Sequence, residues 1–359
     1  MVGLRWRILA ALALCQLPMQ VESRTKASDF DQGTDAYFAA FDAALPLALK
    51  EGKAIIVMAV PNIDYKYPTK AQYEDALAMS TSASSNTAMV DIETRVEWRN
   101  ISDSRKSFIA GHNQPLDRKT MKGYFTKFNG AGSSAYLVLV VDPGTYRVSR
   151  ISYPLRRAHF GGDAGGKAGR SVETPVGSLQ LVATEFAERD GTELAQRSPD
   201  VISGHYECTA VLVNGGGCVE QGWVGRQEVD GGTYTRVVMK SVPGLFVKIG
   251  IDQEFASFSV EPGDVLAVDG LSSEPPESSY MESDCNRMDA KTMLCAIDGI
   301  SLVRSQARLE DVRSFNQGAA FPKLRELLRR AAYRPLQFKA KPSGTSQMGK
   351  IYTLSSPKP

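Results

Sequence analysis

The sequence predicts a mainly β protein: an antiparallel β-sandwich with a helix before it and an amphipathic helix after it. Three observations predict this class. First, short apolar runs recur from Ala135 to Leu271, among them "YLVLVV", "SLQLVATEF", "YTRVVMKSV", "LFVKIGI", "FASFSV" and "DVLAVDG". Glycine and proline corners ("DPG", "NGGG", "DGG", "EPGD") separate them at regular intervals, which is the pattern of a sandwich or barrel. Second, "MVDIETRVEWRN" alternates strictly: Val90, Ile92, Thr94, Val96 and Trp98 on one face, Asp91, Glu93, Arg95, Glu97 and Arg99 on the other. That is a strand with one wet face. Third, no piece between the runs has the length of a crossover helix, which a parallel nucleotide-binding sheet needs.

Taken in order, residues 1–23 read as a secretory signal. Arg5 and Arg7 precede an apolar run from Ile8 to Cys15, Pro18 breaks it, and Val21 and Ser23 offer small residues for cleavage. The run is well short of the roughly 20 residues that cross a bilayer, and no later stretch is long enough either. Cys15, in "LALC", is a candidate for lipid attachment, although Leu14 before it is larger than the residue usually found there. Cleavage near Ser23 is the preferred expectation, placing the protein in the periplasm or cell envelope.

Residues 24–52 form the N-terminal helical segment. Thr34 is the expected N-cap, Phe38, Phe41, Ala44 and Leu45 recur at helical spacing, Pro46 should end or kink the helix, and Gly52 should stop it. The sandwich is expected over 53–303, opening with the buried strand "KAIIVMAVP". A polar insert at 272–296, including "SSEPPESSYMESD", reads as a surface excursion. Helices are expected over 304–335, with Phe321, Leu324, Leu327, Leu328 and Ala331 as the stripe that packs on the sheets. Residues 336–359 read as a basic, flexible tail. From Lys323 to Pro359 nine basic residues face one acid, Glu326, so this end could touch an anionic envelope surface.

Over the whole chain, 42 basic residues nearly balance 40 acidic ones. That balance argues against nucleic acid as a partner. Apart from Cys15 there are four cysteines, Cys208, Cys218, Cys285 and Cys295, and each consecutive pair brackets nine residues. Four cysteines allow three connectivities. Two local disulfides are the simplest choice in an oxidising compartment, each contributing about 2–3 kcal/mol by loop closure.

Several stretches resemble chemical motifs without completing them. "HFGGDAGGKAGRS" spaces Gly161, Gly166 and Lys167 as a phosphate loop does, but Ala168 stands where the Mg²⁺-binding hydroxyl belongs. Pro175 and Gly177 follow where a helix should begin, so a glycine-rich linker is the better account. His205 and Glu207 suggest a zinc deaminase motif that lacks its Pro-Cys-x-x-Cys half. A metal cluster of His205, Glu207, Cys208 and Cys218 would compete with a disulfide. "DFDQGTD" places Gly33 at the fifth position of a calcium loop and Ala40 at its acidic end, both wrong. There is no G-x-S-x-G, and His112, His159 and His205 are the only histidines for a catalytic base. Trp98 and Trp223 could stack on sugar, but an aromatic on a sandwich is usually core. Asn100-Ile-Ser102 matches a glycosylation sequon. These readings leave no catalytic, cofactor-binding or metal-binding residues to name.

"GKAIIVMAV", "YLVLVVDPGTYRVSRI" and "FASFSVEPGDVLAVDGL" together resemble the exported and lipid-anchored β-sandwich proteins of the Gram-negative envelope. The resemblance covers about a quarter of the chain at three separated stretches. It implies a location and a fold rather than a reaction, since that group has no agreed activity. The functional expectation is a non-enzymatic binding or structural role toward an envelope protein or surface polymer. The alternative is a hydrolase acting on envelope glycans or peptides.

Overall fold

The computed structural model describes residues 35–62, 72, 94–111, 126–156, 158–160, 166–168, 175–197, 200–202, 205–211, 218–224, 227–229, 232–316 and 321–356. The signal-like segment, Cys15, the cap residue Thr34, His112 and most of "DFDQGTD" lie outside them. The chain is mainly β, with three helices among the described residues: α1 (Asp35–Lys50), α2 (Leu309–Arg313) and α3 (Pro322–Arg329). In chain order the strands begin with β1 (Ala54–Pro61), β2 (Arg95–Asn100), β3 (Ser107–Ala110), β4 (Thr126–Asn129), β5 (Ser134–Val141), β6 (Gly144–Arg156) and β7 (Gly166–Ala168). There follow β8 (Gly177–Arg197), β9 (Asp200–Ile202), β10 (His205–Val211), β11 (Cys218–Val224), β12 (Gln227–Val229), β13 (Gly232–Ile251), β14 (Ala256–Val260) and β15 (Val265–Val268). The last six are β16 (Gly270–Arg287), β17 (Thr292–Ser305), β18 (Ala332–Arg334), β19 (Gln337–Phe338), β20 (Lys341–Thr345) and β21 (Lys350–Ser355).

Two sheets carry the fold. The smaller has five strands in the order β18-β15-β1-β5-β4, and the larger has twelve, built on β19-β14-β6-β13-β8-β17-β16-β7. All eight residues of β1 are buried because both faces of the small sheet are covered, which is why "AIIVMAVP" is continuously apolar. Ala54, Ile56, Met58 and Val60 share a core with the large sheet's Trp98, Val148, Ile151, Leu181, Val247 and Phe258. Ile55, Val57 and Ala59 point the other way, into a second core with Leu45 of α1, Val312 of α2 and Leu324, Leu327 and Leu328 of α3. The layering is therefore helices, small sheet, large sheet.

The small sheet is mixed, not antiparallel as expected. β15 runs parallel to both β1 and β18, while β1–β5 and β4–β5 are antiparallel. Among the described residues no crossover helix packs between β1 and β15. The chain passes through the large sheet instead, so the local argument against parallel pairing did not apply.

The glycine-proline corners turn out to be points where the chain changes sheet. Asp142-Pro143-Gly144 carries it from β5 to β6, Glu261-Pro262-Gly263-Asp264 from β14 back to β15, and Asp269-Gly270 out again to β16. Gly144 has a φ of +139°, and a Cβ there would meet the Asn100 amide at 2.1 Å. At Gly270 a Cβ would lie 1.7 Å from the carbonyl oxygen of Ala59. Only glycine fits such approaches.

Several sequence expectations need correction. Helix α1 runs through Pro46 to Lys50 and closes at Gly52, whose φ is +78°. Phe41 and Leu45, both fully buried, anchor the turn that leads into Pro46, so packing outweighs the proline. The 272–296 stretch is no surface excursion but most of the β16–β17 hairpin. Its register shifts between Ser272 and Glu277, where Pro275 and Pro276 cannot donate to a ladder. The C-terminal tail is ordered as well. β21 pairs with β17 from Gly299↔Ser355 to Val303↔Ile351, and the Phe338 and Tyr352 rings stack at 3.8 Å. Lys339, Lys341 and Lys350 point into solvent, so the basic composition concealed an apolar alternation beneath it.

Candidate functional site

The outer face of the large sheet carries the most distinctive chemistry. Strand β2 pairs with β6, and β6 with β13, so residues far apart in sequence line up in rows across the strands. Arg95, Ser152 and Lys248 form one row; Glu97, Arg150 and Gly250 form the next; Pro154 and Phe246 lie on the other side of the first. Arg99 and Arg147 are opposite one another further along, and Arg156 lies beyond Pro154. Over β2, β6 and the 244–250 part of β13, the charged residues of this face are Arg95, Arg99, Arg147, Arg150, Arg156 and Lys248 against Glu97 alone. The inward residues of the same strands, including Val96, Trp98, Val148, Ile151 and Val247, are all buried.

A shallow cleft of about 190 Å³ opens on this face, lined by Arg95, Glu97, Ile109, Arg150, Ser152, Phe246 and Lys248. Among the described residues Glu97 is its only carboxylate, and it is held from two sides. Arg99 donates to Glu97 Oε1 at 2.8 Å, and Arg150 reaches Oε2 at 3.6 Å. The Lys248 ammonium sits 5.8 Å from the centre of the Phe246 ring, a cation–π contact. Neither Arg95 nor Lys248 has a carboxylate partner among the described residues. The cleft thus offers unneutralised cations beside one aromatic ring. Among the described residues no second acid faces Glu97.

Two other polar centres are structural in character. Asp269, fully buried, accepts from Arg304 Nε at 3.0 Å, from the Tyr333 hydroxyl at 3.0 and 3.1 Å, and from the Ala307 amide at 2.9 Å. Burial, then the neighbouring Asp269 carboxylate, pushes the Tyr333 phenol up. A second cleft lies along Phe128–Ala131 and Asp311–Asn316, but the Asp311 carboxylate already accepts from the Ala131 amide at 3.0 Å and the Tyr136 hydroxyl at 3.1 Å.

Of the residues singled out in the sequence, Cys285 and Cys295 sit opposite each other on β16 and β17 and form a disulfide. Cys208 and Cys218 lie on paired strands, opposite Gln221 and Val211 respectively. Their side chains, with those of His205, Glu207, Trp223 and Lys167, lie outside the described part of the structure. Gly166–Ala168 is a strand parallel to β16 rather than the start of a helix, which removes the geometry a phosphate loop requires. His159 is exposed. Trp98 is wholly buried among Phe108 and Phe258, so it belongs to the core and not to a sugar platform. Asn100 is buried too. Its amide donates to the Pro143 carbonyl at 3.3 Å and its oxygen accepts from the amides of Ser102 and Asp103, so the sequon serves a structural corner. No group of three or more histidine, cysteine, aspartate or glutamate residues could hold a metal among the described residues. Nor is any helix there long and apolar enough to cross a membrane.

The wet face of β2 was legible from its alternation. Arg150, Phe246 and Lys248 were missed because nothing local to "RVSRISY" or "LFVKIGI" says which strand lies beside them. No family model, curated protein or solved structure matches the chain.

Proposed function

We propose that this is an exported cell-envelope protein, a β-sandwich of two stacked sheets, that binds a partner or surface polymer on the outer face of its large sheet without transforming it. One observation carries the reading: the cleft on that face is lined by cations, a hydroxyl and a half-buried phenylalanine, and its one carboxylate is tied to two arginines. Hydrolysis of a glycan in the usual way needs two carboxyl groups facing across roughly 5–10 Å, and among the described residues this cleft has one. The Cys285–Cys295 bond supports an oxidising compartment.

The test has two parts. Fractionation with N-terminal sequencing should place the protein in the envelope with its first residues removed; an intact Met1 in the cytoplasm would refute export. Incubation of the purified protein with envelope glycans and peptides should leave them uncut. Release of reducing ends or peptide fragments, lost on Glu97→Gln, would replace binding with hydrolysis.

A further inference from the structure

We infer that the ligand of this outer face is a polysaccharide carrying carboxylates along its length, laid lengthwise over β2 and β6. The inference rests on the binding role proposed above and names its ligand class. The chain's net charge is only +2, yet six cations and one acid meet on one face, so the charge is concentrated there. It is also ordered. Arg147, Arg150 and Arg156 spread over ten residues of β6, about 30 Å of extended strand, with Arg95, Arg99 and Lys248 beside them. Arg95 and Lys248 are two strands apart, about 10 Å, so they can grip one polymer from both sides. Guanidinium forks match carboxylates in a bidentate manner. The Phe246 ring provides an apolar patch for the face of a sugar.

Other polyanions fit less well. A single-stranded nucleic acid asks for successive aromatic platforms and a strongly basic domain. The face offers two separate rings, Phe246 beside Lys248 and Phe186 beside Arg156, each already in contact with a cation, in a chain with a pI near 8.2. An anionic membrane asks for exposed apolar side chains that enter the headgroups. Ile109 and Phe246 are the cleft's apolar residues, and both are half-buried.

The experiment titrates the purified full chain with polygalacturonate, neutral dextran, a single-stranded oligonucleotide and phosphatidylglycerol vesicles, following binding by calorimetry. Polygalacturonate should bind, dextran should not, and the affinity should fall as salt is raised, since exposed charges are screened. The double variant Arg95→Gln with Lys248→Gln should weaken binding about tenfold. Glu97→Gln should strengthen it a few fold by releasing Arg99 and Arg150. Arg95 is exposed and Glu97 and Lys248 are partly exposed, and an unchanged circular dichroism spectrum confirms that each variant folds. Tighter binding of the oligonucleotide or vesicles, equal binding of dextran, an unchanged affinity in the double variant, or no binding of polygalacturonate would each overturn the inference. Loss of dextran binding on Phe246→Ala, with the charge variants silent, would overturn the ligand class while leaving a binding face. Indifference of every ligand to every variant would overturn both.

Discussion

Asp269 is fully buried, and its partners come from three separate stretches of chain: Arg304 on β17 with Ala307 just after it, Tyr333 on β18, and the Leu336 amide. A buried carboxylate is tolerated when its lone pairs are filled and a cation stands by, and removing one partner strands the other. Asp269→Ala should therefore cost about 3–5 kcal/mol in urea unfolding, most of it from the uncompensated Arg304. Adding Arg304→Met should recover part of that loss. If the single variant costs less than about 1 kcal/mol, Asp269 is not the tie described here. In the sequence "DVLAVDG" is one more short apolar run ending at a glycine. Nothing nearby showed that this aspartate would be sealed inside, because its counter-charge lies 35 positions away.

At the scale of the element, sequence legibility followed how far each strand depends on distant neighbours. β1 and β5 were readable because β1 and all of β5 after Ser134 are continuous apolar runs. The alternation of β2 was readable because one face is wet. β16 was not, since its polar residues and Pro275-Pro276 favour a loop locally, and only pairing with β17 makes it a strand. Helix α3 shows the same dependence from the other side. Its N-cap residue, Phe321, makes no side-chain cap bond, so Asp42 of α1 accepts from the Lys323 and Leu324 amides at 3.0 and 2.8 Å instead. The β16–β17 hairpin also carries the Cys285–Cys295 bond, with a sequence separation of 10. Replacing both cysteines with serine should cost about 2–3 kcal/mol by loop-closure entropy. An unchanged melting temperature under oxidising conditions would count against that contribution.

Across the whole molecule, buried tyrosines link stability to alkaline pH. Burial pushes the Tyr146 phenol from 10.0 up to about 12, and burial likewise raises Tyr136, Tyr153 and Tyr333. A phenol whose pKa is higher folded than unfolded contributes stability that is complete below the unfolded value. That contribution is lost as pH climbs through the folded value. The protein should hold its structure to about pH 10 and unfold toward pH 12, with phenolate absorbance and loss of circular dichroism rising together. Complete tyrosine ionisation near pH 10 with the spectrum intact would contradict this account.

The parallel placement of β15 between β1 and β18 also governs when folding can finish. Residues 54–61 must wait for 265–268, and those in turn for 332–334, before the small sheet is whole. Contacts that distant close slowly, and a chain delivered from its amino end meets them last. Until then β1 can pair only with β5, and the edge of this apolar strand that β15 will take stays open, the kind of exposed edge that favours association between incompletely folded chains.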